Sequence, residues 1–274
     1  MKKLSFALLP VLCLSILCSC SGGGEADGSG VTSVSSVTSE PAAVEYSETA
    51  ANPRASSADL FADFGAGASD KFERANGWCN GSMFNVTWRK DNCVFEDGVM
   101  KMSIDIDTGA GKTVPYSGAE YRTKDFYGYG LYEVSMKPIK KDGTVSSFFT
   151  YTGPSDSNPW DEIDIEFLGK DTTIVQFNYF TDGKGNHEKI YELGFDASEE
   201  FHTYGFEWSE DRIAWFVDGK EVHSAEADIP VTESKIMMNT WCGTGVDGWL
   251  KPFDESGLPV TAEYAWVAFT AAEK

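Results

Sequence analysis

The chain has 274 residues, enough for one large domain or two small ones, and 42% of them are hydrophobic, so a sizeable core is within reach. With 22 Lys and Arg against 43 Asp and Glu, the formal net charge is −21, which repels polyanions and excludes nucleic acid as a partner but leaves neutral ligands open. Aromatic residues make up 14%, with 8 Trp and 11 Tyr; such a surplus either lines a groove with flat rings or fills a large β-sandwich.

The chain begins as a targeting segment. Lys2 and Lys3 supply the positive start, and residues 4–17 are mostly apolar but too few to span a bilayer as a mature helix. Leu17-Cys18-Ser19-Cys20 resembles a bacterial lipoprotein cleavage box, with Cys20 as the lipidated first residue; the competing reading is an ordinary secretory signal cut nearby. Both make residues 1–20 a signal peptide and predict an extracellular protein, either secreted or held at the cell-surface membrane through lipid on Cys20. Residues 21–58 are rich in Ser, Thr and Gly and nearly free of aromatics. Such a stretch buries too little apolar surface to order itself and reads as a flexible tether. Residues 59–274 are expected to form a single domain and a monomer.

Of the six cysteines, Cys13 and Cys18 leave with the leader and Cys20 is the lipid candidate. Cys79, Cys93 and Cys242 remain, so at most one intramolecular disulfide can form within the domain. There is no Cys-x-x-Cys pair, and His187, His202 and His223 are scattered singly. No metal site or required cofactor is expected from these residue types.

From residue 59 onward, short apolar and aromatic runs alternate with Gly, Asp-Gly and Pro punctuation. Residues 129–136, 145–151, 161–168 and 174–180 each fit a strand, as do 202–208, 213–217, 235–241 and 262–269. Asp218-Gly219, between Ile-Ala-Trp-Phe-Val and Lys-Glu-Val-His, is a type I′ hairpin signal, and Asp97-Gly98, Asp142-Gly143 and Asp182-Gly183 are further turns. No stretch of helical length carries an amphipathic stripe. The fold class is therefore all-β, an antiparallel sandwich or barrel.

The strand at 161–168 carries the chemistry. Glu162, Asp164 and Glu166 alternate with Ile163, Ile165 and Phe167, so three carboxylates share one face and three apolar side chains the other. Adjacent like charges repel and raise one another's pKa, so a row of acids with no base between them is costly unless it is used. Two carboxyls held in different protonation states are what glycoside hydrolysis requires, about 5–5.5 Å apart in retaining enzymes and about 6.5–9.5 Å in inverting ones. Residues i and i+4 on a strand have Cα atoms roughly 13 Å apart, but two Glu side chains on a concave strand can lean together. Asp164 then sits between them and separates their protonation states. The alternatives are a cation site, although calcium is usually held from a loop with backbone carbonyls, and an acidic sheet face.

The surroundings favour a sugar ligand. Trp160 precedes the acids, Trp241 follows Met237-Met238-Asn239, and Gln176 and Asn178 alternate with Val175, Phe177 and Tyr179 on the next strand. Amides on one sheet face suit sugar hydroxyls, and indole faces suit pyranose rings. Singly, each has an ordinary explanation: strand amides are commonly solvated and tryptophans commonly buried.

Trp160-Asp-Glu-Ile-Asp-Ile-Glu-Phe-Leu-Gly169 resembles the catalytic motif of glycoside hydrolase family 16. Tyr127-Gly-Tyr-Gly-Leu-Tyr-Glu-Val134, Val145-Ser-Ser-Phe-Phe-Thr-Tyr-Thr-Gly-Pro154, Gln176-Phe-Asn-Tyr179 and Lys235-Ile-Met-Met-Asn239 resemble the bacterial lichenases of that family, the endo-β-1,3-1,4-glucanases. The acid motif lacks the extra residue that laminarinase-type members carry before the last Glu. The resemblance implies a jelly-roll β-sandwich of two curved antiparallel sheets, concanavalin-like, whose concave face forms the glycan cleft. It implies Glu162 as nucleophile, Glu166 as general acid/base and Asp164 as the residue that orients the nucleophile. It also implies substrate contacts at Trp78, Asn80, Glu120, Arg122, Tyr151, Trp160, Gln176, Asn178, Asn239 and Trp241. Without it, Glu120 and Arg122 read as a surface ion pair.

Several positions depart from the family pattern. Phe180 stands where many lichenases have tyrosine. The family's disulfide positions read Val86 and Gly118 here, and a Cys79–Cys242 bond is an alternative expectation. Ala265 occupies the position of the aspartate that holds the family's structural calcium, which puts that ion in doubt. The expected activity is cleavage of mixed-linkage β-glucan. The competing readings are a β-1,3-glucanase, a transglycosylase, or a non-catalytic glycan-binding protein on the same fold.

Overall fold

The computed structural model describes residues 57–273; the predicted leader, Cys20 and nearly all of the predicted tether lie outside them. In chain order the described strands are β1 (Leu60–Asp63), β2 (Phe72–Arg74), β3 (Val86–Trp88), β4 (Cys93–Glu96), β5 (Val99–Ile106), β6 (Tyr116–Thr123), β7 (Gly130–Lys137) and β8 (Thr144–Thr152). They continue as β9 (Asp161–Leu168), β10 (Ile174–Phe180), β11 (Lys189–Glu192), β12 (His202–Trp208), β13 (Ile213–Val217), β14 (Lys220–Ala225), β15 (Lys235–Cys242) and β16 (Val260–Ala271). The α-helix α1, Asp247–Leu250, is a single turn.

The strands form two layers of a jelly-roll sandwich. One runs β11-β10-β9-β8-β15-β6, with β2 on the far edge of β6. The other runs β5-β16-β7-β12-β13-β14, with β1 on β16 and β4 on β5. The two are not fully separate. The start of β6 pairs with the end of β5 and runs parallel to β3, so the layers share a seam. At that seam a Cβ on Gly118 would lie 2.6 Å from the Thr240 carbonyl oxygen and 2.9 Å from Val86 Cγ2. Val86 therefore packs directly over Gly118.

The core lies between the layers. Ile163, Ile165 and Phe167 of β9 are buried with Val175 and Phe177 of β10, Phe148 of β8, and Tyr204, Phe206 and Trp215 from the opposite layer. Full burial of each such side chain contributes about 1.5–3 kcal/mol. That burial fixes which face of β9 points inward and so sends the three acids to the other side. The Asp218-Gly219 hairpin forms as expected, with both residues at positive φ (49° and 75°), the type I′ requirement. Strands β1 to β6 and β11 were not predicted from pattern. β6 is buried on both faces, which erases the polar–apolar alternation on which the prediction rests.

Candidate active site

Strand register assembles the site in rows across the concave sheet. Glu162 stands opposite Tyr151 of β8 and Phe180 of β10; Asp164 stands opposite Phe149 and Asn178; Glu166 stands opposite Ser147 and Gln176. The rows continue through β15, where Met237 pairs with Phe149 and Asn239 with Ser147, to Arg122 and Glu120 of β6. A cleft of about 1110 Å³ lies over these rows, and all thirteen sequence-predicted site residues of the domain line it.

Each acid meets a different set of donors. Trp160 Nε1 donates to Glu162 Oε2 over 2.5 Å. Gln176 Nε2 donates to Glu166 Oε2 over 2.8 Å, and Gln176 is itself held by Trp249 Nε1 at 3.2 Å. Asp164 hydrogen-bonds Glu162, a contact that requires one of the two acids to be protonated. Removal of water by the surrounding protein pushes Glu162 and Glu166 each up to about 7. Asp164 is driven well above the ordinary range, first by burial and then by the charges of Glu162 and Glu166, and its contact with Glu162 favours the ionised form of Glu162. Glu162 thus receives two donors that favour its carboxylate form, whereas Glu166 receives one and is raised further by the charges of Glu162 and Glu188.

The remaining predicted residues divide by exposure. Trp78 and Trp160 are each 39% exposed, which leaves a ring face free to stack on a ligand. Trp241, at 2%, does not form such a platform. It is packed against Phe84 (4.3 Å between centroids) and Trp249, and contributes a wall. Gln176, Asn178 and Asn239 are only 5–6% exposed, so these amides are part of the cleft floor rather than a solvated face. Asn178 Oδ1 has no hydrogen-bond partner, an open acceptor beside Asp164. Ser147 Oγ donates to Asn239 Oδ1 at 2.5 Å, and Trp88 Nε1 holds Asn80 Oδ1 at 2.9 Å at the cleft's other end.

Glu120 and Arg122 are not a surface pair. Glu120 is 4% exposed, and burial pushes its carboxyl up to about 7. Arg122 binds Glu73 at 3.0 Å, more closely than Glu120 at 3.7 Å, and its guanidinium lies 5.2 Å from the Trp78 ring centre. The expected Cys79–Cys242 bond is not formed. Both thiols are free, with Cys79 Sγ bonded inside its own loop to the Phe84 carbonyl and Cys242 Sγ directed at the Asn85 carbonyl. Ala265 sits at the register shift between Tyr264 and Trp266 and offers no carboxylate, so the residues there do not fit the family's calcium ligand set. Among the described residues, no group of three or more His, Cys, Asp and Glu side chains is arranged to hold a metal ion.

Sequence reasoning missed Ser147, Phe149, Met237, Trp249 and Glu188 as cleft residues. The first three have the same strand parity as Tyr151 and Asn239, a signal that was available. Trp249 lies in α1 and Glu188 just before β11, and no periodicity marks either.

The sequence matches Glycosyl hydrolases family 16 over residues 80–266. It is 54% identical over 213 residues to a beta-glucanase of Brevibacillus brevis, covering 77% of this chain and 81% of that protein. It is 55% identical over 221 residues to a xylanase/beta-glucanase of Ruminococcus flavefaciens, covering 79% of this chain but only 27% of that longer protein. Among solved structures, a prokaryotic beta-1,3-1,4-glucanase (lichenase) from a mouse hindgut metagenome superposes with a TM-score of 0.75 at 55% identity, over 78% of this chain and 99% of that one. With an acid strand, a concave cleft and a match of this extent, the chain belongs to glycosyl hydrolase family 16.

Proposed function

We propose that this protein is an endo-acting, retaining glycoside hydrolase that cleaves mixed-linkage β-1,3-1,4-glucan. The observation that carries the reading is the unequal hydrogen bonding of the two glutamates. Glu162 accepts from Trp160 and is in contact with Asp164, both of which favour an ionised nucleophile. Glu166 accepts from Gln176 alone and faces its neighbours' negative charge, which favours a proton donor.

In the first step the Glu162 carboxylate attacks the anomeric carbon. The bond to the glycosidic oxygen breaks, and that oxygen takes the proton of Glu166. In the second step Glu166, now a base, removes a proton from water, which displaces Glu162 from the same carbon and restores both groups with net retention. Trp78 and Trp160 supply ring faces for sugars along the cleft, and Gln176, Asn178 and Asn239 supply hydroxyl partners. A neutral glucan meets no penalty from the chain's charge of −21. The leader sequence supports action outside the cell, free or tethered through Cys20.

The test is release of reducing ends from lichenan, cereal β-glucan, laminarin and xyloglucan by the purified protein. Activity is expected on the first two, and Glu162→Gln should abolish it while the circular dichroism spectrum is kept. Undiminished hydrolysis by that variant would overturn the assignment. Activity confined to laminarin would transfer it to a β-1,3-glucanase.

A further inference from the structure

Trp160 holds Glu162 through its indole N–H, and the indole is itself held. Phe180 lies directly opposite Glu162 across the β9–β10 pair, and its ring stacks on Trp160 with centroids 4.8 Å apart and planes 15° from parallel. The turn after Phe180 closes on the same side. Thr181 bridges Lys184, Gly183 N donates to the Trp160 carbonyl at 2.8 Å, and Asp182 N donates to Asp161 Oδ1 at 2.9 Å. A Cβ on Gly185 would lie 2.5 Å from Phe180 Cε1, so that backbone packs against the ring more closely than any other residue would permit. Phe180 is thus packed against both the indole and the turn, and Trp160 is anchored through its face and its carbonyl.

We propose that Phe180 is a positioning residue: its stack on Trp160 fixes the indole N–H on Glu162 and so sets how that carboxylate faces a bound sugar. The inference rests on the reading of Glu162 as nucleophile, and it assigns Phe180 a task that needs no hydroxyl. With the ring gone, the exposed indole is free to turn, and Glu162 loses one of its two donors. The other groups facing Glu162 are Asp164 and Glu166 on its own strand and Tyr151 on β8, and none of them replaces an N–H fixed in that direction.

The experiment is the pH profile of kcat/KM on lichenan for Phe180→Leu, Phe180→Tyr, Trp160→Phe and the Trp160→Phe/Phe180→Leu double variant. Phe180→Leu should lower kcat roughly tenfold with a smaller change in KM, and move the acid limb to higher pH by about half to one unit, because an ionised Glu162 has lost a hydrogen bond. Phe180→Tyr, which keeps the stacked ring, should keep the acid limb in place. Trp160→Phe should move the limb as Phe180→Leu does, and the double variant should move it no further. An unmoved limb in folded Phe180→Leu, or additive shifts in the double variant, would overturn the proposal. If Glu162→Gln is inactive in the same assay, such a result sinks this inference alone; if Glu162→Gln is active, the functional reading fails first.

Discussion

Gln176 stands directly across the β9–β10 pair from Glu166 and donates its side-chain N–H to Glu166 Oε2 over 2.8 Å. That bond favours the ionised form of Glu166, the group proposed to give up a proton. Burial and the charges of Glu162 and Glu188 oppose it and raise the carboxyl to about 7. The proposed roles require Glu162 ionised and Glu166 protonated at the same time, so kcat/KM is expected to be bell-shaped with its maximum near neutral pH. The two limbs belong to the coupled pair. Gln176→Leu removes a bond to a charged group worth about 1.5 kcal/mol, so the basic limb should move up by about one pH unit. A basic limb that stays in place in this variant would show that Gln176 does not tune the acid.

Glu120 offers a test of stability against function. Its folded-state pKa, raised to about 7 by burial, exceeds its ordinary value of 4.5. The folded protein therefore binds the proton more tightly than the unfolded chain does. The associated stability is full below pH 4.5 and is lost as pH rises through about 7. Glu120→Gln removes the loss and should raise stability at pH 8 by on the order of 2 kcal/mol, with little change at pH 4.5. The same change should weaken lichenan binding, because a buried acceptor in the cleft is altered. Melting curves at the two pH values, paired with KM, check both halves.

The thiols should label in a fixed order. Cys93 and Cys242 are buried, and removal from water pushes each up to about 12, so neither presents a thiolate at neutral pH. Cys79 is partly exposed. Alkylation of the native domain should modify Cys79 alone, and alkylation after unfolding without reductant should modify all three. A Cys79–Cys242 bond would appear in the mass spectrum as two missing labels.

Asp161, at the start of β9, is 2% exposed, and its carboxylate accepts the backbone N–H groups of Asp182, Val231 and Thr232. It ties two loops to the strand that carries the acids. Asp161→Ala should destabilise the domain by about 2–4 kcal/mol, since three donors lose their partner. Calcium chelation should leave the melting temperature unchanged, because Ala265 supplies no side-chain carboxylate and backbone carbonyls alone make a weak site. A drop of several degrees on adding chelator would refute that.

Legibility varied with burial. Strands β9, β10, β12 and β13 could be read residue for residue, and the Asp218-Gly219 turn was explicit. The β8 and β15 ends were extended by one residue at most, since boundary residues carry little pattern. β5 and β6 were invisible as strands. β6 faces the core on one side and the cleft floor on the other, so Glu120 on it reads as a surface acid from pattern alone, and only the family resemblance marks it as a cleft residue.

The sequence by itself determined the essential asymmetry of β9. A period of two residues, with Ile163, Ile165 and Phe167 seeking the core, forces Glu162, Asp164 and Glu166 onto the opposite face. Tertiary structure decided what those acids become. Gln176 meets Glu166 only through the β9–β10 pairing, and Ser147 and Asn239 join the same row only through the pairing that seats β8 between β9 and β15. Trp160 and Trp249 approach from segments with no periodic signal. The proposed division of labour between Glu162 and Glu166 depends on the Trp160 and Gln176 donors and on the removal of water. Neither is a property of strand alternation, because both arise where distant segments close over one face of the sheet.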